Sequence, residues 1–473
     1  MKLTDNGEEA TKEPAVQIEK EKKRSLSRGS IFTSQIDPLQ TTSKRLDNGL
    51  SFGKTIEPPT LCPIDMKFSE EEIWIRLQIR EFMFRFGEHF QFQPRIIAST
   101  QNVQGDWRMK RITAYVVWKA LVILDASLYE MVPAEERPKS NLPGQSYLTR
   151  TNHLPLMANY ILNQWMEEKG LGDPELEENE RRDAFFLVFC QEGMTARRWQ
   201  DIAELLAAAE CTDLPVPTIR NGDPENAIVE QIQKFRKQSR TSCSLTAADE
   251  LRMIQMLLDV LLFDTTTRRK MLDSTKELKE REVALKKERK TYQMDYMAQK
   301  TQRNSLTIRV EQLTAVGKQD KKVIVEAELE ALDVKIRDER LEIEKKEMDL
   351  IIAKLKTEMR LRTPCVDAKG NEYWFFNDLL TSQLGHATDV RNNECYWSYG
   401  VIVIGPGFSG GTERRWWHID GIQNMLQLEK WLMHDWTCND KITRDALIVQ
   451  LTSRAQYLRL LENVVYGEGH FSK

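Results

Sequence analysis

Apolar residues recur at helical spacing through most of the chain. Ser69 stands three residues before Glu72, as in a capping box, and Ile73 and Leu77 begin a helical pattern that ends near Gly87. Further helices are predicted over 107–128, 154–168, 181–210, 244–264, 423–436 and 442–465. The chain is therefore predicted to be mainly α.

A heptad pattern occupies 266–362. Met271, Leu278, Leu285 and Tyr292 stand seven residues apart, and Val325, Leu329, Leu332 and Ile336 follow at alternating spacings of four and three. Gly317 interrupts the helical pattern between these two runs. We therefore predict a long antiparallel helical hairpin, a coiled coil that turns at 317–320, although one continuous intermolecular coil also fits the pattern.

The segment 363–466 differs from the rest of the chain. It contains a β-prone run, YGVIVIG, before the glycine-rich turn GPGFSGG (405–411). The predicted fold is a multi-helical module with the long hairpin and a small β-containing C-terminal segment.

An aromatic pair occurs twice in this segment. Tyr373-Trp374 follows Asp367, and Tyr396-Trp397 follows Asp389. Asp and Asn are typical of turns, and Tyr and Trp bury wide faces while keeping a polar edge. Packing and recognition of a partner are both open interpretations of the repeated pair.

The composition of the chain predicts a disordered tail, a linker and an intracellular location. The 473 residues exceed what one core usually holds, and 1–65 is predicted to be a disordered tail because it is poor in aromatic residues. Within this tail, the basic cluster KEKKRSLSR at 20–28 is a candidate nuclear import signal. Three prolines make 211–227 a predicted linker. Scattered cysteines and the lack of a long apolar run predict a soluble intracellular protein without a membrane partner.

Charge is unevenly distributed along the predicted hairpin. Residues 268–290 carry ten Lys or Arg against five acids, whereas 326–349 carry five against ten. A chain that folds back at 318 or 319 places 268–290 opposite 347–369, where further cations stand at Lys354, Lys356, Arg360, Arg362 and Lys369. A basic patch at the base of the hairpin is one interpretation, and a solvated charged face is the other.

Catalytic machinery is not apparent in the sequence. GPGFSG has the spacing of a dinucleotide-binding loop, but Pro406 lacks a backbone donor and the following residues do not begin a helix. The six histidines are dispersed, and His418 is predicted to be a packed ring. We expect a protein that is not an enzyme and has no cofactor, metal or small-molecule substrate.

Four segments in a fixed order resemble a known module. IREFMFRFGEHF, SLTAADELRMIQMLLDVLLFDTTTRRKM, TPCVDAKGNEYWFFND and RRWWHIDGIQNMLQLEKWLM are similar to the DDT plus WHIM module of accessory subunits of ISWI chromatin-remodelling complexes, over roughly half the chain. The corresponding divisions are a DDT-like segment at 68–130, additional helices and linker at 131–227, a first WHIM-like segment at 240–290, the coiled-coil hairpin at 266–362, and second and third WHIM-like segments at 363–466.

The resemblance implies a nuclear subunit that binds an ISWI-class ATPase, nucleosomal linker DNA and other chromatin-complex subunits, and that helps set nucleosome spacing. The family's second WHIM segment carries a glycine two residues before its acid, where this chain has Cys365, and a basic residue after it, where this chain has Ala368. The implied ATPase contacts are Asp367, Asn371, Tyr373 and Trp374, with Asp389 as a second candidate for the acid.

The resemblance also gives the cations near the hairpin base a role in linker-DNA binding, because Lys and Arg contact phosphates without reading the bases. The candidates are Arg268, Arg269, Lys270, Lys286, Lys287, Arg289 and Lys290, with Arg414 and Arg415 beside Trp416. A coiled-coil scaffold or adaptor protein without DNA binding is the alternative function.

Overall fold

Helices dominate the structure, and its short strands form one antiparallel sheet. The computed structural model describes residues 56–131, 153–171, 178–218, 225–238, 245–262, 265–356, 364–377, 396–408, 411–435 and 441–466. These ranges belong to one unit that begins at Ile56. The predicted fold class is confirmed.

The first helices begin where capping and apolar patterns predict them. α1 (Glu70–Phe86) follows Ser69, whose hydroxyl accepts a hydrogen bond from the backbone N–H of Glu72 at 3.2 Å. α2 (Pro94–Ser99) begins with a proline, which suits a first helical turn because no N–H partner is needed there. α3 (Met109–Met131) lies next in the chain and packs into the helical core.

Five more helices complete this core. They are α4 (His153–Glu167), α5 (Glu178–Glu192), α6 (Ala196–Ala208), α7 (Glu225–Gln238) and α8 (Ala247–Leu261). The single helix predicted over 181–210 is wrong: Gly193 has a φ of +80° and ends one helix, and Thr195 caps the next. α7 was not predicted, and its first residues fall in the predicted linker 211–227.

The long hairpin consists of α9 (Thr265–Ala315) and α10 (Gln319–Lys356). Gly317 lies between them with a φ of +71°, a backbone conformation that favours glycine. Val325 and Leu332, two of the predicted heptad positions, are buried. The predicted hairpin is therefore confirmed, rather than one continuous coil.

Ion pairs between the two helices fix the register of the hairpin. Arg303 pairs with Asp333 at 2.7 Å, and Lys354 pairs with Glu282 at 3.4 Å. In each pair the two residues are equally far from residue 318 along the chain. The helices therefore run antiparallel about a turn near this residue. This agrees with the turn at 317–320 that the interruption of the helical pattern at Gly317 predicts.

The sheet contains β1 (Cys62–Pro63), β2 (Cys365–Val366), β3 (Glu372–Trp374), β4 (Val401–Gly405) and β5 (Arg415–Ile419) in the order β1-β5-β4-β3-β2. All neighbouring strands are antiparallel. β1 lies in 56–65, which the sequence assigned to the tail, and this assignment is corrected because its backbone pairs with β5. The rest of the predicted tail, residues 1–55 with the candidate import signal, lies outside the described residues.

The C-terminal helices cover one face of the sheet. α12 (Ile422–Asp435) and α13 (Lys441–Leu461) form this cover, and a π-helical turn (Glu462–Tyr466) follows them. The short helix α11 (Tyr396–Tyr399) precedes β4 and places Trp397 on the opposite face. Alternate residues of β4 point to opposite faces: Val401 and Val403 pack with α12 and α13, whereas Ile402 and Ile404 pack with the first turns of α1. α1 and the C-terminal helices α12 and α13 are thus held together by one sheet.

Candidate functional site

The turn between β2 and β3 contains the predicted acid of the ATPase contact. The backbone N–H of Asp367 donates to the carbonyl of Asn371 at 3.0 Å, and that of Gly370 donates to the carbonyl of Asp367 at 3.1 Å. Gly370 has a φ of +83°, which closes the turn. The DAKGN sequence therefore forms a compact loop at the end of a β-hairpin.

The carboxylate of Asp367 holds this loop together. It accepts hydrogen bonds from the backbone N–H groups of Lys369 (2.9 Å) and Asn371 (2.8 Å) and from the Asn371 side-chain amide (2.9 Å). The hydroxyl of Tyr373 donates to the same carboxylate at 2.9 Å. Burial, followed by the charge of Asp367 and this hydrogen bond, raises the pKa of Tyr373 well above its ordinary value of 10.0.

Asn371 connects the loop to the glycine-rich turn. Its buried side-chain amide donates to the carbonyl of Gly407 at 3.2 Å, and its side-chain oxygen accepts from the backbone N–H of Gly407 at 2.8 Å. A Cβ at Gly405 would lie 2.5 Å from the same side-chain oxygen, so this position requires glycine. The glycine-rich turn joins two antiparallel strands, which is not the strand-to-helix context of a phosphate loop.

The tryptophans of the two Tyr-Trp pairs meet in one aromatic cluster between α1 and the sheet, whereas Tyr373 is buried on the opposite face of the sheet. The Trp74 ring centroid lies 4.7 Å from that of Trp374 and 5.2 Å from that of Trp416. Phe376 stacks parallel to Trp374 and lies 6.4 Å from Trp397. The repeated motif therefore supplies packing, which was the first of the two interpretations, and leaves partner recognition to the exposed loop beside it.

A buried polar network ties α1 to the C-terminal segments. Arg80 donates to Glu81 at 3.0 Å and to the hydroxyl of Ser398 at 2.6 Å. Glu81 accepts hydrogen bonds from both the backbone and the side-chain amide of Asn377, each at 2.8 Å. Arg454 of α13 donates to the carbonyl of Ser398. Sequence patterns missed this network, because a charged pair within a helix is ordinarily an exposed feature.

Lysines cover the face of α9 that points away from α10. Between Arg268 and Lys290, this face spans about 100° of the helix and carries no acidic residue. Its exposed cations are Lys276, Lys279, Lys286, Lys287 and Lys290, which we call the basic face. Neither Lys276 nor Lys279 was among the predicted DNA contacts. They stand three residues apart, and Lys286 follows Lys279 by seven, spacings that repeat on one side of a helix and are readable from the sequence.

Most of the basic face is not neutralised by neighbouring acids. Within the described part of the chain, Lys279, Lys287 and Lys290 form no ion pair. Lys276 pairs with Asp273 at 3.6 Å and Lys286 pairs with Glu282 at 3.2 Å, both along the helix and with the lysine exposed. Such pairs at the surface are weak, so these two lysines also stay available to an anionic partner.

The other predicted DNA contacts occupy different environments. Arg289 points towards α10 and pairs with Glu347 at 3.3 Å. Arg414 donates to Glu70 at 2.8 Å, and Arg415 donates to Glu413 at 2.9 Å. Arg268, Arg269 and Lys270 lie in the first turns of α9. Lys286, Lys287 and Lys290 therefore lie on the exposed face of α9, whereas Arg289, Arg414 and Arg415 pair with acids elsewhere.

Acids within the chain neutralise the cations at the end of α10. Lys354 pairs with Glu282, and Lys356 pairs with Glu88 at 2.7 Å. Lys369 lies over the ring of Trp431 at 5.1 Å. Arg360, Arg362 and Asp389 lie outside the described residues. The basic character near the hairpin base is thus a property of the outer face of α9.

A cavity of about 490 Å³ lies between the end of α1 and the base of the hairpin. Its lining mixes cations such as Arg281 and Lys356 with acids such as Glu277 and Asp349. In the ranges given above, no group of His, Cys, Asp and Glu side chains is arranged to hold a metal ion. Of the described helices, none is both long and apolar enough to cross a membrane.

In comparisons with known proteins, no family model, curated protein or solved structure matches the chain.

Proposed function

We propose that the chain is a non-catalytic subunit of an ISWI-type nucleosome-remodelling complex in the nucleus. It binds the ISWI-class ATPase and nucleosomal linker DNA, works with other chromatin-complex subunits and helps set nucleosome spacing. The order of the DDT-like and WHIM-like segments supports this proposal. The observation that carries it is the basic face of α9.

The basic face suits the DNA backbone. Phosphates repeat along both strands of the duplex, and a long helix with exposed lysines on one side presents positive charge along its length. From Lys276 to Lys290 the helix rises about 21 Å, at about 1.5 Å per residue. Contacts of this kind hold DNA without selecting a base sequence, as a linker-DNA contact requires.

The loop closed by Asp367 is the proposed ATPase contact. Because the Asp367 carboxylate already accepts four hydrogen bonds within the chain, its role there is to hold the loop in shape. Ala368, Lys369 and Gly370 are exposed and form the surface that a partner meets. Asp389 stays a second candidate for the acid.

Nucleosomes with and without linker DNA test the proposal. In a mobility-shift titration, we expect the full chain to bind nucleosomes that carry linker DNA more tightly than trimmed core particles. A tagged chain purified from nuclei should carry an ISWI-class ATPase as its main partner in mass spectrometry. Equal affinity for both nucleosomes, together with no ATPase in the purified material, contradicts the proposal.

The coiled-coil scaffold without DNA binding is the second candidate. Exposed apolar side chains on the outer face of α9, Met294, Met297 and Ile308, favour a protein contact on the hairpin. A scaffold of this kind binds neither linker DNA nor core particles, so the same titration distinguishes the two functions.

A further inference from the structure

The half of α9 nearest the hairpin turn carries a second heptad pattern. Seven residues between 290 and 311 are spaced alternately by four and three positions, which places them on one side of the helix. We call these residues the outer seam: Lys290, Met294, Met297, Thr301, Asn304, Ile308 and Glu311. The residues that face α10, such as Gln299 and Arg303, lie on the opposite side.

The outer seam is exposed and its interior is uncharged. Met294 and Met297 are each 63% exposed, and Ile308 is 54% exposed. In a helix that is otherwise rich in charge, three large apolar side chains on one line expose apolar surface to water, which is unfavourable for an isolated hairpin. They have the spacing that a second helix needs for knobs-into-holes packing.

The two ends of the outer seam carry opposite charges. Lys290 stands at one end and Glu311 at the other, and neither forms an ion pair within the described part of the chain. A parallel copy of the helix would place lysine beside lysine and glutamate beside glutamate. An antiparallel copy places each Lys290 near the Glu311 of the other copy, within about one helical turn.

We propose that two copies of this chain associate through their outer seams, with the two α9 helices antiparallel and crossing near Thr301 and Asn304. Asn304 lies at a seam position, where a polar residue favours one register and one number of strands. In this arrangement the tip of each hairpin reaches only to about residue 288 of the other copy. Lys276, Lys279 and Lys286 therefore stay uncovered, and the association does not depend on the proposed function.

Sedimentation velocity of the full chain without DNA tests the proposal. We expect a reversible dimer, and Met297→Glu should weaken dimerisation at least tenfold because it places a charge at the centre of an apolar contact. Leu272→Glu is the matched control: Leu272 is an exposed apolar residue of α9 about four turns beyond the point that the other copy reaches, so this variant should dimerise as the wild type does. Circular dichroism should be the same for all three proteins, since both positions are exposed.

A charge exchange tests the antiparallel orientation. Lys290→Glu and Glu311→Lys each place like charges together at both ends of the seam, and each should weaken the dimer about tenfold at low salt. The double variant Lys290→Glu/Glu311→Lys restores opposite charges and should restore dimerisation. A wild type that stays monomeric at its highest soluble concentration overturns the proposal, and so does a double variant no tighter than the single ones.

Discussion

At the scale of single residues, Asp367 shows how a motif position can have a structural role that spacing does not reveal. The sequence identifies it as an acid before a turn and an aromatic pair, and the resemblance makes it a partner contact. Its carboxylate accepts four hydrogen bonds within its own loop, two of them from Asn371. Substitution of Asp367 therefore acts on the fold of the loop before it acts on any partner.

Asp367→Ala should lower the free energy of unfolding by about 2 to 4 kcal/mol, because it removes a charged acceptor and leaves the Tyr373 hydroxyl and the Asn371 amide without it. Urea denaturation followed by circular dichroism measures this change. The matched control is Asp338→Ala, an exposed acid on α10, which should change the free energy by less than about 0.5 kcal/mol. Equal effects of both substitutions would remove the structural role given to Asp367.

Tyr373 makes stability sensitive to alkaline pH. Its pKa in the folded chain is raised above the ordinary value of 10.0, so the unfolded chain loses the phenol proton at a lower pH. The contribution of the protonated Tyr373 to the free energy of unfolding is complete below about pH 10. It is lost as the pH rises through the pKa that Tyr373 has in the folded chain. Tyr373→Phe should flatten the fall in unfolding free energy above about pH 10, and chemical denaturation at a series of pH values measures it. An unchanged slope contradicts the raised pKa.

At the scale of elements, much of the helical structure is readable from the sequence. The Ser69 cap and the heptads of the hairpin predicted α1, α9 and α10, because local capping and apolar periodicity decide these elements. The break between α5 and α6 at Gly193 was missed, since an apolar pattern on both sides concealed it. β1 was missed because two residues carry no periodic signal and form a strand only through pairing with β5.

The candidate site was predictable in part. Lys286, Lys287 and Lys290 were selected from a basic run, but the run alone did not separate residues by helix face. Arg289 lies among them in sequence and points towards α10 instead. Lys279 and Lys276 lie about two and three turns before Lys286 and extend the basic face towards the start of α9. Only the position of α10 against α9 shows which side of α9 is exposed.

The direction of Arg289 leads to a test within the basic run. Lys287→Gln should weaken binding of a DNA duplex about threefold or more, because an exposed phosphate contact is lost. Arg289→Gln should leave the affinity unchanged, since Arg289 is paired with Glu347 on the inner side of the hairpin. Fluorescence anisotropy compares the two variants, and the same loss in both would mean that the helix face does not matter.

The network around Glu81 joins elements far apart in the sequence. Glu81→Ala should lower the free energy of unfolding by about 3 to 5 kcal/mol, because it leaves Arg80 and Asn377 buried without their acid. Glu71→Ala, an exposed position of the same helix, is the control and should have a small effect. Chemical denaturation measures both, and a small loss for Glu81→Ala would show that the network contributes little.

At the scale of the whole molecule, segments that are separate in the sequence act as one support for the hairpin. α1 and the C-terminal helices cover opposite faces of the sheet, and Met348 and Ile352 of α10 pack into the core that contains α12 and α13. The hairpin is thereby fixed at its base, while its outer face carries lysines near the base and the outer seam near the tip. The proposed DNA and self-association surfaces follow one another along one helix and share Lys290.

The salt dependence of DNA binding shows whether the lysines of the basic face contact phosphates. Fluorescence anisotropy of a DNA duplex over a salt series compares the wild type with Lys279→Glu/Lys286→Glu/Lys287→Glu and with a control of equal charge change near the tip and on α10, Lys318→Glu/Lys321→Glu/Lys345→Glu. We expect the basic-face variant to bind DNA more weakly. The slope of log affinity against log salt should become shallower by about three, because each of the three lost phosphate contacts contributes about 0.9 to it. The control should keep the slope of the wild type; equal slopes for all three proteins contradict DNA binding by the basic face.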